Sequence, residues 1–199
     1  MSPKAFTNQE KDLVRGKLLD AAERFLSTTG IKKTSVEQLA QAAGISKGAF
    51  YLFFESKELL FLDALEREQA HIHAIILQRM AEASSKRQGF TAAVMEMYRG
   101  FIAKPWLLAF TGEDYELLLR RIPPERIAWH IELDDASTRR LQQMMGDGLG
   151  IDPELLSAAL RLLFLGALHR REVGEQLADG AFELMIEALA DRIFVEERI

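Results

Sequence analysis

Ser46, Lys47, Gly48 and Ala49 are consecutive, small or cationic, and followed closely by Tyr51 and Lys57. This set is poorly suited to bond-breaking chemistry and well suited to contact with a polyanionic duplex. A lysine can reach a phosphate or a guanine edge, an alanine methyl can meet a thymine methyl, and a tyrosine hydroxyl can donate to a phosphate. Lys57 adds a charge in the first turn of the next helix, where unpaired backbone N–H groups already favour phosphate.

Such side chains act together only if the chain holds them on one edge, and residues 34–57 supply the means. Thr34-x-x-Glu37 and Ser35-x-x-Gln38 are overlapping capping boxes that fix the start of a short helix. Leu39 and Ala43 form its inner stripe, and Ala40 is small enough for a second helix to cross closely. Gly44 can take the positive φ of a sharp turn, with Ile45 as an apolar plug beside it. Ser46 can cap the second helix, which then turns Phe50 and Phe54 inward. The start of that helix is left small and exposed, as an element entering the major groove must be.

The rest of the chain reads as helix. Strand-like alternation is absent, and Ala, Leu, Glu, Gln and Arg recur at helical spacing. A first helix is expected from Asn8 to Thr29, with Val14, Leu18, Ala21, Ala22 and Phe25 on one stripe and Gly30 as its stop. Two short helices follow at 35–43 and 46–53, then a long one from Ser56 to Ala83. Ser84–Gly89 is the expected linker. Beyond it the pattern predicts helices over 90–103, 106–121, 124–146, 153–174 and 181–197, started by Pro105, Pro123-Pro124 and Pro153 and broken at Gly146, Gly148, Gly150 and Gly180. The fold class is therefore all-α, with a three-helix helix-turn-helix head (residues 1–57) joined by a long helix to a larger helical body (58–199).

Charge is divided unevenly between these parts. The net charge is −5, yet residues 1–57 carry nine Lys and Arg against six acidic residues. A basic end on an acidic body suits a protein that touches a polyanion at one end only. With no cysteine, disulfides, Cys-ligated zinc and thiol catalysis are excluded. No apolar run is long enough for a membrane span, and the N-terminus lacks the apolar stretch of a signal peptide, so a soluble cytoplasmic protein is expected.

At the helix-turn-helix the chain resembles the tetracycline-repressor (TetR) family of bacterial regulators. The matching residues are Gly30, Thr34-Ser-Val36, Leu39-Ala40, Ala43-Gly-Ile-Ser-Lys-Gly48, Phe50-Tyr51, Phe54 and Ser56-Lys-Glu-Leu-Leu60. The resemblance covers about residues 10–65 and runs past the generic motif into the following helix. It implies an all-α homodimer that binds palindromic operator DNA and releases it when a variable C-terminal domain takes a small-molecule effector. It also implies phosphate contacts for Thr34, Tyr51 and Lys57 and groove contacts for Ser46, Lys47, Gly48 and Ala49, with Ser35 in the same DNA-facing set. One departure is Phe53, where the family often has His or Tyr. Phe53 cannot donate to a phosphate, so either it packs inside or the affinity is lower.

The body carries two further patterns. Met97, Phe101, Trp106, Phe110, Tyr115, Trp129, Met144 and Met145 are the candidate lining of a largely apolar ligand pocket, although residues of these types also fill ordinary cores. Leu160, Phe164 and Leu168, then Phe182, Met185, Leu189 and Ile193, lie on broad apolar stripes that fit either burial within one chain or a dimer interface. Two DNA half-sites require two heads, which favours the dimer.

Catalytic and metal chemistry find little footing, and no cofactor is expected. His71 and His73 diverge on a helix, and Glu68-x-x-His71 is half of a di-iron carboxylate signature that has no second half. There is no phosphate-cradling glycine loop or nucleophile elbow. The competing readings are a helical ligand-binding protein or enzyme whose head does not touch DNA, and a non-specific architectural DNA protein. The missing catalytic set speaks against the first, and the acidic body against the second.

Overall fold

The computed structural model describes residues 6–104, 106, 118, 120–146, 151–167 and 169–194, and among these no strand occurs. The helices are α1 (Asn8–Thr28), α2 (Gly30–Lys33), α3 (Val36–Ala43), α4 (Lys47–Phe50), α5 (Lys57–Glu82), α6 (Lys86–Ala103), α7 (Pro124–Met145), α8 (Pro153–Ala167), α9 (Arg170–Val173) and α10 (Glu175–Ile193). The chain divides into two compact units, one of residues 1–69 and 105–130, the other of residues 70–104 and 131–199.

In the first unit, α1 begins at a capping box. Thr7 Oγ1 accepts from the Glu10 N–H at 3.2 Å, and Glu10 Oε2 accepts from the Thr7 N–H at 2.8 Å. Leu18, Ala21 and Ala22 of α1 are buried, as are Leu39, Ala40 and Ala43 of the α3 packed against it. The small residues on both sides bring the helices close. Ile31, Phe50, Leu60 and Phe61 are fully buried in the same unit. Ion pairs join α5 to α1 one turn apart: Asp63 with Arg15, and Arg67 with Asp20 (2.9 Å) and Glu23 (2.7 Å). From α7, Arg126 reaches Asp63 and Glu66, and His130 Nδ1 lies 3.2 Å from Glu66 Oε1.

The second unit is built on α6 against α10. Phe90, Val94 and Tyr98 meet Phe182, Ile186, Ala190 and Ile193 in one core, with the Tyr98 and Phe182 rings stacked at 3.8 Å. Arg87 pairs with Glu187 and Asp191 across the same helices. Tyr98 also donates to Asp179 Oδ1 at 2.8 Å, and Arg170 grips both oxygens of Asp179 at 2.7 and 2.8 Å. Arg170, then the Tyr98 hydroxyl, hold the Asp179 carboxyl down at about 2. Burial, reinforced by Asp179, pushes the Tyr98 phenol up to about 12.

Several expected boundaries move. The linker over 84–89 shrinks, because Ser85 Oγ accepts from the Gln88 N–H at 3.2 Å and starts α6 at Lys86. Gly89 then lies inside a helix, where a Cβ would meet the Met80 Cα and the Ala83 Cβ at 3.2 Å. Only glycine permits so close an approach of α6 to the end of α5. The expected helix over 153–174 ends at Ala167, followed by the single turn α9. The last helix starts at Glu175 after Gly174, whose φ is +96°, while Gly180 lies within it. The helix expected over 106–121 falls mostly outside the described residues.

Candidate DNA interface

The turn between α3 and α4 is held by its own backbone. Ser35 caps α3 in a full capping box with Gln38, so Ser35 rather than Thr34 is the cap. Gly44 ends α3 in the left-handed region at φ +76°, ψ +29°, and the Ile45 N–H donates back to the Ala40 carbonyl at 3.0 Å. Ser46 Oγ accepts from the Ala49 N–H at 3.1 Å and starts α4. That helix is shorter than expected, since residues 51–53 form a turn in place of a further helical turn. Phe50 (0% exposed) and Phe54 (5%) anchor it from behind. Ser46, Lys47 and Gly48 are exposed and Ala49 half-buried, with Tyr51 exposed after them.

Two of the residues expected at phosphates are engaged elsewhere. Thr34 is 1% exposed, and its hydroxyl donates to the Gly30 carbonyl at 2.7 Å. In this conformation its side chain locks the corner after α2. Lys57 Nζ donates to the carbonyls of Ile31 (2.8 Å) and Thr34 (2.6 Å), tying the start of α5 to the same corner. An ammonium has three donors, so one remains for other partners. Phe53 is half-buried, and its ring meets Phe6 edge-on at 5.6 Å.

Lys47 is ion-paired to Glu37, ten residues earlier in the first turn of α3. Each holds the other charged, the Glu37 carboxyl below and the Lys47 ammonium above its ordinary range. Sequence reasoning had placed Glu37 only in a capping box. The signal available was a carboxylate on the outer face of α3, but its reach to Lys47 depends on the angle of the Gly44 turn.

The apolar candidates in the body are divided between the two units. Trp106 and Trp129 belong to the first unit, and Met97, Phe101, Met144 and Met145 to the second, while Phe110 and Tyr115 lie outside the described residues. Trp106 is buried, whereas Trp129 is exposed, with the Arg126 guanidinium 4.3 Å over its ring. Met145 is part of the second unit's core. Met97 and Phe101 are half-buried, and Phe101 meets Phe164 at 5.1 Å.

The residues of the expected dimer stripe differ in exposure. Phe182 and Ile193 are buried within their own chain, because the stripe they share with Ile186 and Ala190 faces α6. Leu160, Phe164 and Leu189 are half-buried, Met185 is exposed, and Leu168 lies outside the described residues. The outward apolar face is the neighbouring one: Leu155, Leu162 and Leu165 of α8, and Leu177 and Leu184 of α10. An open apolar groove of about 770 Å³ lies beside Leu162, lined in part by Leu162 and Leu163 of α8 and Ala181, Met185 and Leu189 of α10.

Among the described residues, no group of three or more His, Asp or Glu is placed to hold a metal. No helix among them is long and apolar enough to cross a membrane.

Two helices set around a left-handed glycine, the second with a small and exposed start, define a helix-turn-helix DNA-binding head. Residues 18–64 match the model for "Bacterial regulatory proteins, tetR family". The repressor AcnR of Corynebacterium diphtheriae is 32% identical over 84% of this chain and 86% of its own length. The regulator AcrR of Shigella flexneri is 36% identical over 76 residues, which span 38% of this chain and only 35% of AcrR. A TetR-family transcription regulator from Marinobacter aquaeolei shares the fold at a TM-score of 0.65 and 22% identity, over 94% of this chain and 98% of that one. The chain belongs to the TetR family, and its function is that of a DNA-binding transcriptional regulator.

Proposed function

We propose that the protein is a homodimeric repressor that grips a palindromic operator through two copies of α4 and lets go when a small, largely apolar ligand binds its helical body. The observation that carries this reading is the exposed start of α4, with Ser46, Lys47 and Gly48 presented outward and Phe50 fully buried behind them. Ser35, Ser46, Lys47, Gly48, Ala49 and Tyr51 form the DNA-facing set. Lys57 supports it from the corner, with one donor to spare. Residues 1–57 serve DNA, and residues 58–199 serve ligand and partner.

The exposed leucines of α8 and α10 support the dimer, since so much apolar surface on a regulator that needs two heads calls for a second copy. Met97 and Phe101, half-buried on α6, are among the proposed ligand contacts. Ligand binding acts by population shift between two separations of the heads. Two half-sites one turn apart require recognition helices about 34–36 Å apart, so a modest change in separation releases one of them. Titrating Lys47→Ala/Tyr51→Ala against a palindromic promoter fragment at fixed salt tests the assignment. Binding should fall at least tenfold, and unchanged binding would overturn it. Effectors that bind without altering operator affinity would overturn the coupling.

A further inference from the structure

Glu37 is the acidic residue in the first turn of α3. It is exposed, the capping of α3 is done by Ser35 with Gln38, and its carboxylate is spent on Lys47 at the first position of α4. An acidic side chain beside a DNA-facing lysine opposes binding twice. It competes for the ammonium, and it brings a negative charge towards a polyanion.

We infer that Glu37 is a specificity-determining residue, which with Lys47 reads a G·C pair as a unit and penalises DNA that offers only phosphates. This rests on the reading of α4 as the DNA-facing helix. A phosphate attracts Lys47 but offers no donor to Glu37, so capturing the lysine leaves a carboxylate stranded at the interface. A guanine offers O6 and N7 to Lys47, and its cytosine partner offers the N4 amino group to a carboxylate. Both members of the pair are satisfied there after they separate, whereas a phosphate satisfies the lysine alone. Glu37 thus lowers affinity for DNA in general more than affinity for the operator, which is discrimination by an unfavourable alternative.

The test compares wild type, Glu37→Gln, Glu37→Ala and Lys47→Ala on two duplexes. One is the sequence enriched by the wild-type protein from a random library, the other a scrambled duplex of the same length and composition. Both Glu37 variants should tighten binding to the scrambled duplex several-fold and lower the ratio of the two affinities about fivefold or more. The salt dependence on the scrambled duplex should steepen by about one, the slope expected when one more lysine meets a phosphate. Circular dichroism should show the helical content of wild type, since Ser35 and Gln38 still cap α3, with a midpoint lowered only by the small contribution of a first-turn carboxylate and an exposed ion pair. An unchanged ratio and slope in the Glu37 variants, alongside weakened binding by Lys47→Ala, would overturn the inference and leave α4 as the DNA-facing helix. An equal gain on both duplexes would overturn it too, showing a charge effect without base reading. If Lys47→Ala bound both duplexes as wild type does, the reading of α4 would fall and the inference with it.

Discussion

The Lys57 ammonium donates to the backbone carbonyl of Thr34 at 2.6 Å, and so holds the corner from which the helix-turn-helix departs. The Thr34 hydroxyl secures the same corner from inside, through the Gly30 carbonyl. Lys57→Met keeps the stem and removes the charge, leaving two carbonyls without that donor. Hydrogen bonds to charged groups contribute about 1.5–3 kcal/mol each, so the head should lose stability on that order. Thr34→Val should lose about 1 kcal/mol through the hydrogen bond, and Thr34→Ser about the same through its buried methyl. Chemical denaturation measures all three. An unchanged midpoint for Lys57→Met, with a salt slope for DNA binding lowered by about one, would place Lys57 on phosphate instead.

Gly44 lies in the left-handed region, with nothing within 4 Å of the position a Cβ would take. The cost of Gly44→Ala is therefore backbone strain alone, about 1–2 kcal/mol, and Gly44→Asn should cost less. Thermal denaturation should rank the chain as Gly, then Asn, then Ala. Equal stability of all three would contradict the left-handed turn.

Asp179 gives stability a pH dependence of known sign. Its folded value is depressed from 3.8 to about 2 by Arg170 and Tyr98. A depressed carboxylate favours the folded state above its unfolded value, and that stability is lost as pH falls from about 4 towards 2. Asp179→Asn should flatten this acid limb in a pH series of denaturation midpoints. Tyr98 has the opposite sign: raised from 10.0 to about 12, it contributes fully below pH 10 and loses its contribution as pH rises through 12.

The outward leucines test the dimer separately from the fold. Leu177 and Leu184 are 72% and 71% exposed on α10, whereas Ile186 is fully buried on the same helix. Leu177→Glu/Leu184→Glu should give a helical monomer by analytical ultracentrifugation, and operator affinity should drop with the second head. Ile186→Ala should instead cost about 2–5 kcal/mol of stability through a core cavity. A Leu177/Leu184 variant that stayed dimeric would place the interface elsewhere.

The head was legible wherever local rules decide the outcome. Gly44, Ser46 and the Ser35–Gln38 box act over four residues or fewer, and their roles follow from type and spacing. The Thr7–Glu10 box obeys the same rule, and α1 starts at Asn8 as expected. Long-range partners were not legible. Nothing local tells Lys57 to turn back 23 residues to the Thr34 carbonyl, or Lys47 to meet Glu37. In the body the apolar stripes on α8 and α10 were too broad to say which edge faces inward. Periodicity identified Phe182 and Met185 as apolar helical residues, but the neighbour α6 decides that the first is buried and the second exposed.

The central claim is that paired copies of α4 read two half-sites, and selection of duplexes from a random library by the wild-type protein tests it most directly. The account predicts enrichment of a near-palindrome, with half-site centres separated by about 10 bp or a multiple of it and two protomers bound per site. Enrichment of a single unpaired half-site bound by one protomer, or no enrichment at all, would contradict it.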